Sequence, residues 1–351
     1  MEFLFSNLPP MKTKYKDFSE AFDDLLAQST RIDIAVGYVT ADSLIDLKQM
    51  LQLNSRIKTL NLTIGMHYFD KFTRGEYDAA LTLNDFLMQE NRGKVQLVNL
   101  FRYHGKLYAF QRKDEILAGI IGSDNLSAIS DSGIKTYESS VLLREKGDAE
   151  EIYKFISDLT KKCTKNIGEL KITEFKQQNL LLDSHENVRK VSPNEYHQAV
   201  ENETGIFFEI PIKTSDKSNL NAYFGKGRES KKTGLIKPRH WYEVELIVPR
   251  KITKCSGYPK RGTDGAVFDV ITDDLWRFKC KVSGDYSKNF RSEGDLKILG
   301  KWLKGRMEQA GVLKPGEPVT QKTLQEYGRQ SFTFIKTKEK NLWLLDFEAH
   351  K

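Results

Sequence analysis

The 351 residues hold only three cysteines, Cys163, Cys255 and Cys280, which form no CxxC pair and no zinc-finger spacing. A disulfide scaffold and a thiolate zinc centre are therefore not expected. The thiols read as reduced side chains of a cytoplasmic protein. Long apolar runs are also missing, and the apolar patch in the opening MEFLFSNLPPMKTK is too short for a secretory signal. Neither membrane insertion nor secretion is expected. No GxxxxGK[ST] occurs, so the chain has no phosphate loop of the P-loop type. Histidine is sparse, and of the six only His104 is followed by a lysine two positions later.

What is present suits two domains, each with its own core. The net charge of +7 is uneven. Residues 1–180 carry 24 Lys plus Arg against 25 acids, a balance of −1, whereas 181–351 carry 31 against 23, a balance of +8. A chain whose second half holds a polyanion would show this division.

The chemistry concentrates in 103–138, YHGKLYAFQRKDEILAGIIGSDNLSAISDSGIKTYE. His104 and Lys106 fall in an alternating run that reads as a strand, which puts both side chains on one face. One can attack phosphorus while the other holds its charged oxygens. The next apolar run, 116–121, ends in Gly122-Ser123-Asp124-Asn125. In that turn backbone amides, the Ser123 hydroxyl and the Asn125 amide can converge on a phosphate. Glu138, early in a third run ending at Leu143, supplies a carboxylate able to take the second imidazole proton and set the histidine tautomer.

HGK followed by GSDN resembles the catalytic motif of the phospholipase D superfamily, and its continuation resembles that superfamily's restriction endonuclease branch. The family motif usually has an aspartate five residues after the lysine, where this chain has Gln111. Lipase and transferase members generally keep that aspartate and the nuclease branch is more variable, so Gln111 argues against a phospholipid substrate. The resemblance implies a phosphohistidine formed without a metal, with His104, Lys106, Ser123, Asn125 and Glu138 as the catalytic set. That chemistry uses two histidines, and the motif occurs once. A homodimer through the nuclease domain would build one composite centre from two chains. One His104 would attack phosphorus and the other would protonate the leaving oxygen, with Lys106 and Asn125 of both chains on the equatorial oxygens. Several relatives work with a separate helicase-like ATPase subunit. No cofactor is expected in this chain, and any need for ATP and Mg²⁺ would be met by that second polypeptide.

Periodicity organises the rest. Helices are expected over 15–29, 42–53, 73–89 and 148–162, the last with Ile152, Phe155, Ile156 and Leu159 inward. Strands are expected over 31–39, 60–66 and 95–100, giving an α/β layer before the motif. His67 and Tyr68, just past a strand end, read as a cleft border or a surface turn, and Arg102 and Tyr103 flank the motif. From 206 onward short β-rich runs alternate with turns, with one helix over 294–309, as in a barrel or sandwich-like module. Trp241, Trp276, Trp302 and Trp343 read mostly as core.

The second half resembles the B3-like DNA-recognition domain that follows the nuclease domain in related restriction enzymes. The expected fold is an α/β phospholipase D-like nuclease domain followed by a mainly β, B3-like pseudobarrel domain: 1–170 for nuclease and dimerisation, 171–194 as linker, 195–351 for DNA recognition. Basic loops are the candidate arms. The first offers Lys226, Arg228, Lys231 and Lys232; the second Asp285, Tyr286, Ser287, Lys288, Asn289 and Arg291; a third segment brings Lys260 and Arg261, with Thr263 and Asp264. The second mixes donors with acceptors, which base discrimination requires, whereas lysines alone mostly bind phosphates. These features favour a sequence-specific, restriction-type endonuclease acting on double-stranded DNA. A lipid phosphodiesterase and a catalytically inactive DNA-binding protein are the competing readings.

Overall fold

The computed structural model describes residues 1–130, 136–177, 181–183, 185–215 and 218–349. Its first elements are β1 (Glu2–Phe5), α1 (Phe18–Leu26), β2 (Arg31–Val36), α2 (Ala41–Leu53), β3 (Thr59–Ile64), α3 (His67–Asp70), α4 (Arg74–Gln89), β4 (Gly93–Val98), β5 (Lys106–Arg112), β6 (Glu115–Gly122), β7 (Ser139–Leu143), α5 (Lys146–Cys163) and β8 (Thr164–Asn166). There follow β9 (Arg189–Lys190), α6 (Pro193–Glu201), β10 (Glu203–Pro211), a small hairpin of β11 (Arg228–Glu229) and β12 (Ile236–Lys237), β13 (Leu246–Ile247), α7 (Arg250–Thr253), β14 (Val267–Thr272), β15 (Trp276–Ser283), β16 (Asn289–Ser292), α8 (Lys297–Gln309), α9 (Gln321–Tyr327), β17 (Ser331–Thr337) and β18 (Leu342–Asp346). The chain divides into two compact units. One comprises Met1–Gln178 with Lys226–Pro238, the other Asn179–Gly225 with Arg239–Lys351. Part of the expected linker, 178–180 and 184, lies outside the described residues.

The first unit is built on an eight-stranded sheet ordered β1-β7-β6-β5-β2-β3-β4-β8. Strands β2, β3 and β4 are parallel, while β5 runs antiparallel to β2 and pairs onward with β6. Strand period two divides the side chains between faces. Tyr108 and Phe110 of β5 meet Phe18 and Phe22 of α1, while Ala35, Leu107 and Ala109 join Ile152, Ile156 and Leu159 of α5 in one buried cluster. Helix starts are fixed by side-chain caps: Asp17 accepts the Glu20 N–H, and Thr73 and Glu76 form a capping box. Phe155 departs from its expected inward place and is 52% exposed. With Ala149, Ile152, Ile156 and Leu159 buried, position 155 falls at the stripe's edge, where its ring flanks Tyr103.

In the second unit a seven-strand path runs β10-β17-β18-β14-β15-β16-β13, with β14 and β18 parallel in an otherwise antiparallel sheet. Phe208, Phe268, Phe290, Phe334 and Trp343 pack ring on ring in its core. All four tryptophans are buried. Helix α9, absent from the periodicity reading, has a capping box from Thr320 and Thr323 and ends at left-handed Gly328.

Candidate active site and nucleic-acid interface

Parallel strands deliver their C-terminal ends to one edge of the first sheet, and the loop after β4 returns there to begin β5. His104 sits in that loop, before the strand expected to carry it, and is exposed, whereas Lys106 opens β5 and is buried. The two side chains still meet, with Lys106 Nζ 3.1 Å from His104 Nε2. Lys106 also donates to the His104 carbonyl at 2.8 Å, which fixes the loop against the strand. Burial lowers the Lys106 pKa, opposed by the nearby charge of Glu138. Two glycines make the approach possible. A Cβ on Gly37 would lie 3.0 Å from His104 Cδ2, and one on Gly65 would lie 1.9 Å from the Tyr103 carbonyl oxygen.

Asn125 reaches the same edge from the turn after β6, and its Oδ1 accepts the Tyr38 backbone N–H at 3.1 Å. That bond settles the amide orientation and leaves Nδ2 as the available donor. Ser123 is differently employed. Its hydroxyl donates to the Ser139 carbonyl and accepts the Ser139 N–H, so it extends the β6–β7 pairing instead of converging freely on a phosphate. The expected bond from His104 to Glu138 is not formed among the described residues. Glu138 is held from behind, because its N–H donates to Ser6 Oγ and its carbonyl accepts the Ser6 N–H. It lines a cavity of about 360 Å³ with Asp17, Asp124, Asn125 and Lys237. Asp124 was not singled out in sequence. Burial pushes its carboxyl up to about 6, against the opposing hydrogen bond from Ser140.

Gln111 lies at the other end of β5. It is buried and donates to Asp33 Oδ2 at 3.1 Å. Arg31 and Asn61 complete the donors around that buried carboxylate. The residue at the family's aspartate position thus braces the sheet. His67 is likewise structural. It is buried, accepts the Val39 N–H at Nε2, and has Nδ1 3.2 Å from the Lys71 carbonyl.

The basic segments separate into two groups. Lys226, Arg228, Lys231 and Lys232 lie in the exposed hairpin that is compact with the first unit. There Lys232 pairs with Asp24 at 3.0 Å and Lys237 with Asp23 at 2.7 Å. In the second unit the other two segments meet. The Arg261 N–H donates to Ser287 Oγ at 2.9 Å, and Arg261 Nη1 is 3.8 Å from Asp285. Lys260 donates to the Thr253 carbonyl. Tyr286 and Ser287 hold left-handed backbones, with φ of 59° and 58°, a conformation that is uncommon outside glycine. They turn Tyr286 out to 63% exposure while burying Ser287. Lys288 is half-buried beside them. Asn289 and Arg291 both engage Glu245. Arg250, missed in sequence, stands 4.1 Å from the Tyr286 ring.

An α/β unit with a histidine–lysine pair at a strand edge, followed by a mainly β half-barrel, makes this a phosphodiesterase of the phospholipase D type with a DNA-binding domain. Residues 16–172 match the family model of the NgoFVII restriction endonuclease N-terminal PLD domain, and residues 198–338 match that of the NgoFVII C-terminal B3-like DNA-binding domain. The chain belongs to this restriction endonuclease family. Among solved structures, Nuc from Salmonella typhimurium, a phospholipase D family member, is 12% identical, with 47% of this chain and 95% of that one covered and a TM-score of 0.31. NucT from Helicobacter pylori is 13% identical, covering 46% and 98%, with a TM-score of 0.30. The archaeal chromatin protein TrmBL2 is 11% identical at a TM-score of 0.30, with 46% of this chain and 53% of its own length covered. No curated protein matches the chain.

Proposed function

We propose that the protein is a sequence-specific endonuclease that cleaves double-stranded DNA through a phosphohistidine at a composite dimer site, without a catalytic metal. The observation that carries this reading is the 3.1 Å approach of Lys106 Nζ to His104 Nε2 at an exposed edge of the sheet. Nε2 attacks phosphorus, and the leaving oxygen takes a proton from the imidazole of the second chain's His104. Water then attacks the phosphohistidine and yields its proton to that second imidazole, returning both histidines to their starting states. Lys106 supplies fixed positive charge and Asn125 Nδ2 a neutral donor to the equatorial oxygens as their charge grows. Glu138 acts on Lys106 electrostatically. Specificity comes from the second unit, where Arg250, Lys260, Arg261, Tyr286 and Lys288 offer cations and an exposed ring while Asp285 adds an acceptor. The hairpin cations Lys226, Arg228, Lys231 and Lys232 contact phosphate. An ATPase subunit, where one is required, acts before this chemistry and not in it.

Plasmid DNA incubated with the protein in excess EDTA tests the reading. Cleavage should continue once any separate ATP-dependent step is bypassed, and rapid denaturation should trap DNA joined to His104 through an acid-labile phosphorus–nitrogen bond. Activity that vanishes with chelation and returns with a divalent ion on an ATP-independent substrate would refute it.

A further inference from the structure

Tyr38, in the loop that leaves β2, touches both halves of the site. Its backbone N–H donates to Asn125 Oδ1 at 3.1 Å. Its half-exposed ring meets the His104 imidazole edge-on, with centroids 5.6 Å apart and planes at 76°. Its hydroxyl donates to Asp70 Oδ2 at 2.6 Å, and the other oxygen of Asp70 accepts from Arg102 Nε at 3.2 Å. Arg102 lies two residues before His104, in a loop outside the strand ladder. The loop is also held by the Tyr103 N–H on the Gly65 carbonyl and by Lys106 on the His104 carbonyl. The next residue after Tyr38 is pinned as well, since the Val39 N–H donates to His67 Nε2.

We propose that Tyr38 is a positioning residue for cleavage, its hydroxyl bond to Asp70, whose other oxygen holds Arg102, setting the His104 loop in register with Asn125. The proposal rests on His104 being the nucleophile. A hydroxyl donating to an ionised carboxylate forms one of the stronger hydrogen bonds available to a side chain. The same bond raises the Tyr38 pKa and lowers that of Asp70, so the phenol is a poor proton donor to substrate and a firm anchor. A packing role alone would need the ring and not the hydroxyl. Both attacking and oxygen-binding groups thereby take their placement from one residue, and small misplacements of reacting groups are costly to rate.

The test uses the full-length protein with Tyr38→Phe, Asp70→Asn and the double variant, assayed on plasmid DNA and on bis(4-nitrophenyl) phosphate. Each single variant should lower kcat roughly 10- to 100-fold with KM nearly unchanged. The double variant should be no worse than either single one, because both remove the same link. The His104 ring-proton resonances, assigned by their absence in His104→Ala, should move in Tyr38→Phe. Asp70 is near the surface, so Asp70→Asn keeps the test open where Tyr38→Phe folds poorly. Wild-type kcat with unmoved resonances, additive losses, or losses that track the fraction unfolded would overturn the proposal. Undiminished cleavage by His104→Ala would instead overturn the nucleophile reading, which separates the two failures.

Discussion

His104 is exposed and Lys106, two residues on, is buried, and this difference governs what each substitution removes. His104→Ala deletes a group that contributes little to the core, so cutting should disappear while folding and specific DNA binding persist, as gel-shift and cleavage assays on one preparation would reveal. Lys106→Ala and Asn125→Ala each remove an oxygen-binding donor and should raise the barrier by about 2.7–4 kcal/mol, read from single-turnover rates. Asp124 predicts a pH effect. Burial raises its folded pKa to about 6, above the ordinary aspartate value of 3.8, so the native state holds this proton more tightly than the unfolded chain. The contribution to stability is complete below about pH 4 and is lost as pH rises through 6. Asp124→Asn should flatten that decline in a series of thermal melts from pH 4 to 7. The approach of Lys106 to His104 was legible because a spacing of two residues carries it. Tyr38 and Asp70 were not, since nothing local ties position 38 to 70, 104 and 125. The backbone bonds of Glu138 to Ser6, remote in sequence, were hidden for a related reason.

At the scale of elements, apolar stripes and caps located the principal helices and strands of the first half, while strand order and edge pairing depended on contacts far apart in sequence. β1 illustrates this, for it joins β7 through Glu2↔Leu142 and its four residues carry no independent strand signal. Gln111 illustrates the limit of motif reading. It stands where the family motif has an aspartate, and strand length carries it to the opposite end of β5, against Asp33. The tight approach of Gly65 to Tyr103 is legible only in three dimensions. Gly65→Ala would drive a methyl into the Tyr103 carbonyl and force the β3 end away from the His104 loop. Cleavage should fall by an order of magnitude or more, with a lowered melting temperature measured by calorimetry.

For the whole molecule, the uneven charge and the composition change marked two regions, and both are matched by domains of one enzyme family. Binding should weaken steeply with added salt, and target and random duplex should differ in affinity at every salt concentration, measured by fluorescence anisotropy. The proposed composite site makes a separate prediction. Wild type mixed equally with His104→Ala, with subunit exchange verified, should keep about one quarter of the cleavage activity, against about one half for independent centres.

The parallel pairing of β14 with β18 places the last described strand in the middle of the second sheet. The strands of the first sheet are all present by Asn166, but the second sheet lacks its centre until Asp346. At about 5–20 residues per second of synthesis, those 180 intervening residues take roughly 10–40 s. During that interval a nascent chain carries a complete cutting sheet and no finished reading sheet, so the order of manufacture places hazard before restraint. A catalytic centre that needs two chains would keep such a lone, half-made enzyme harmless.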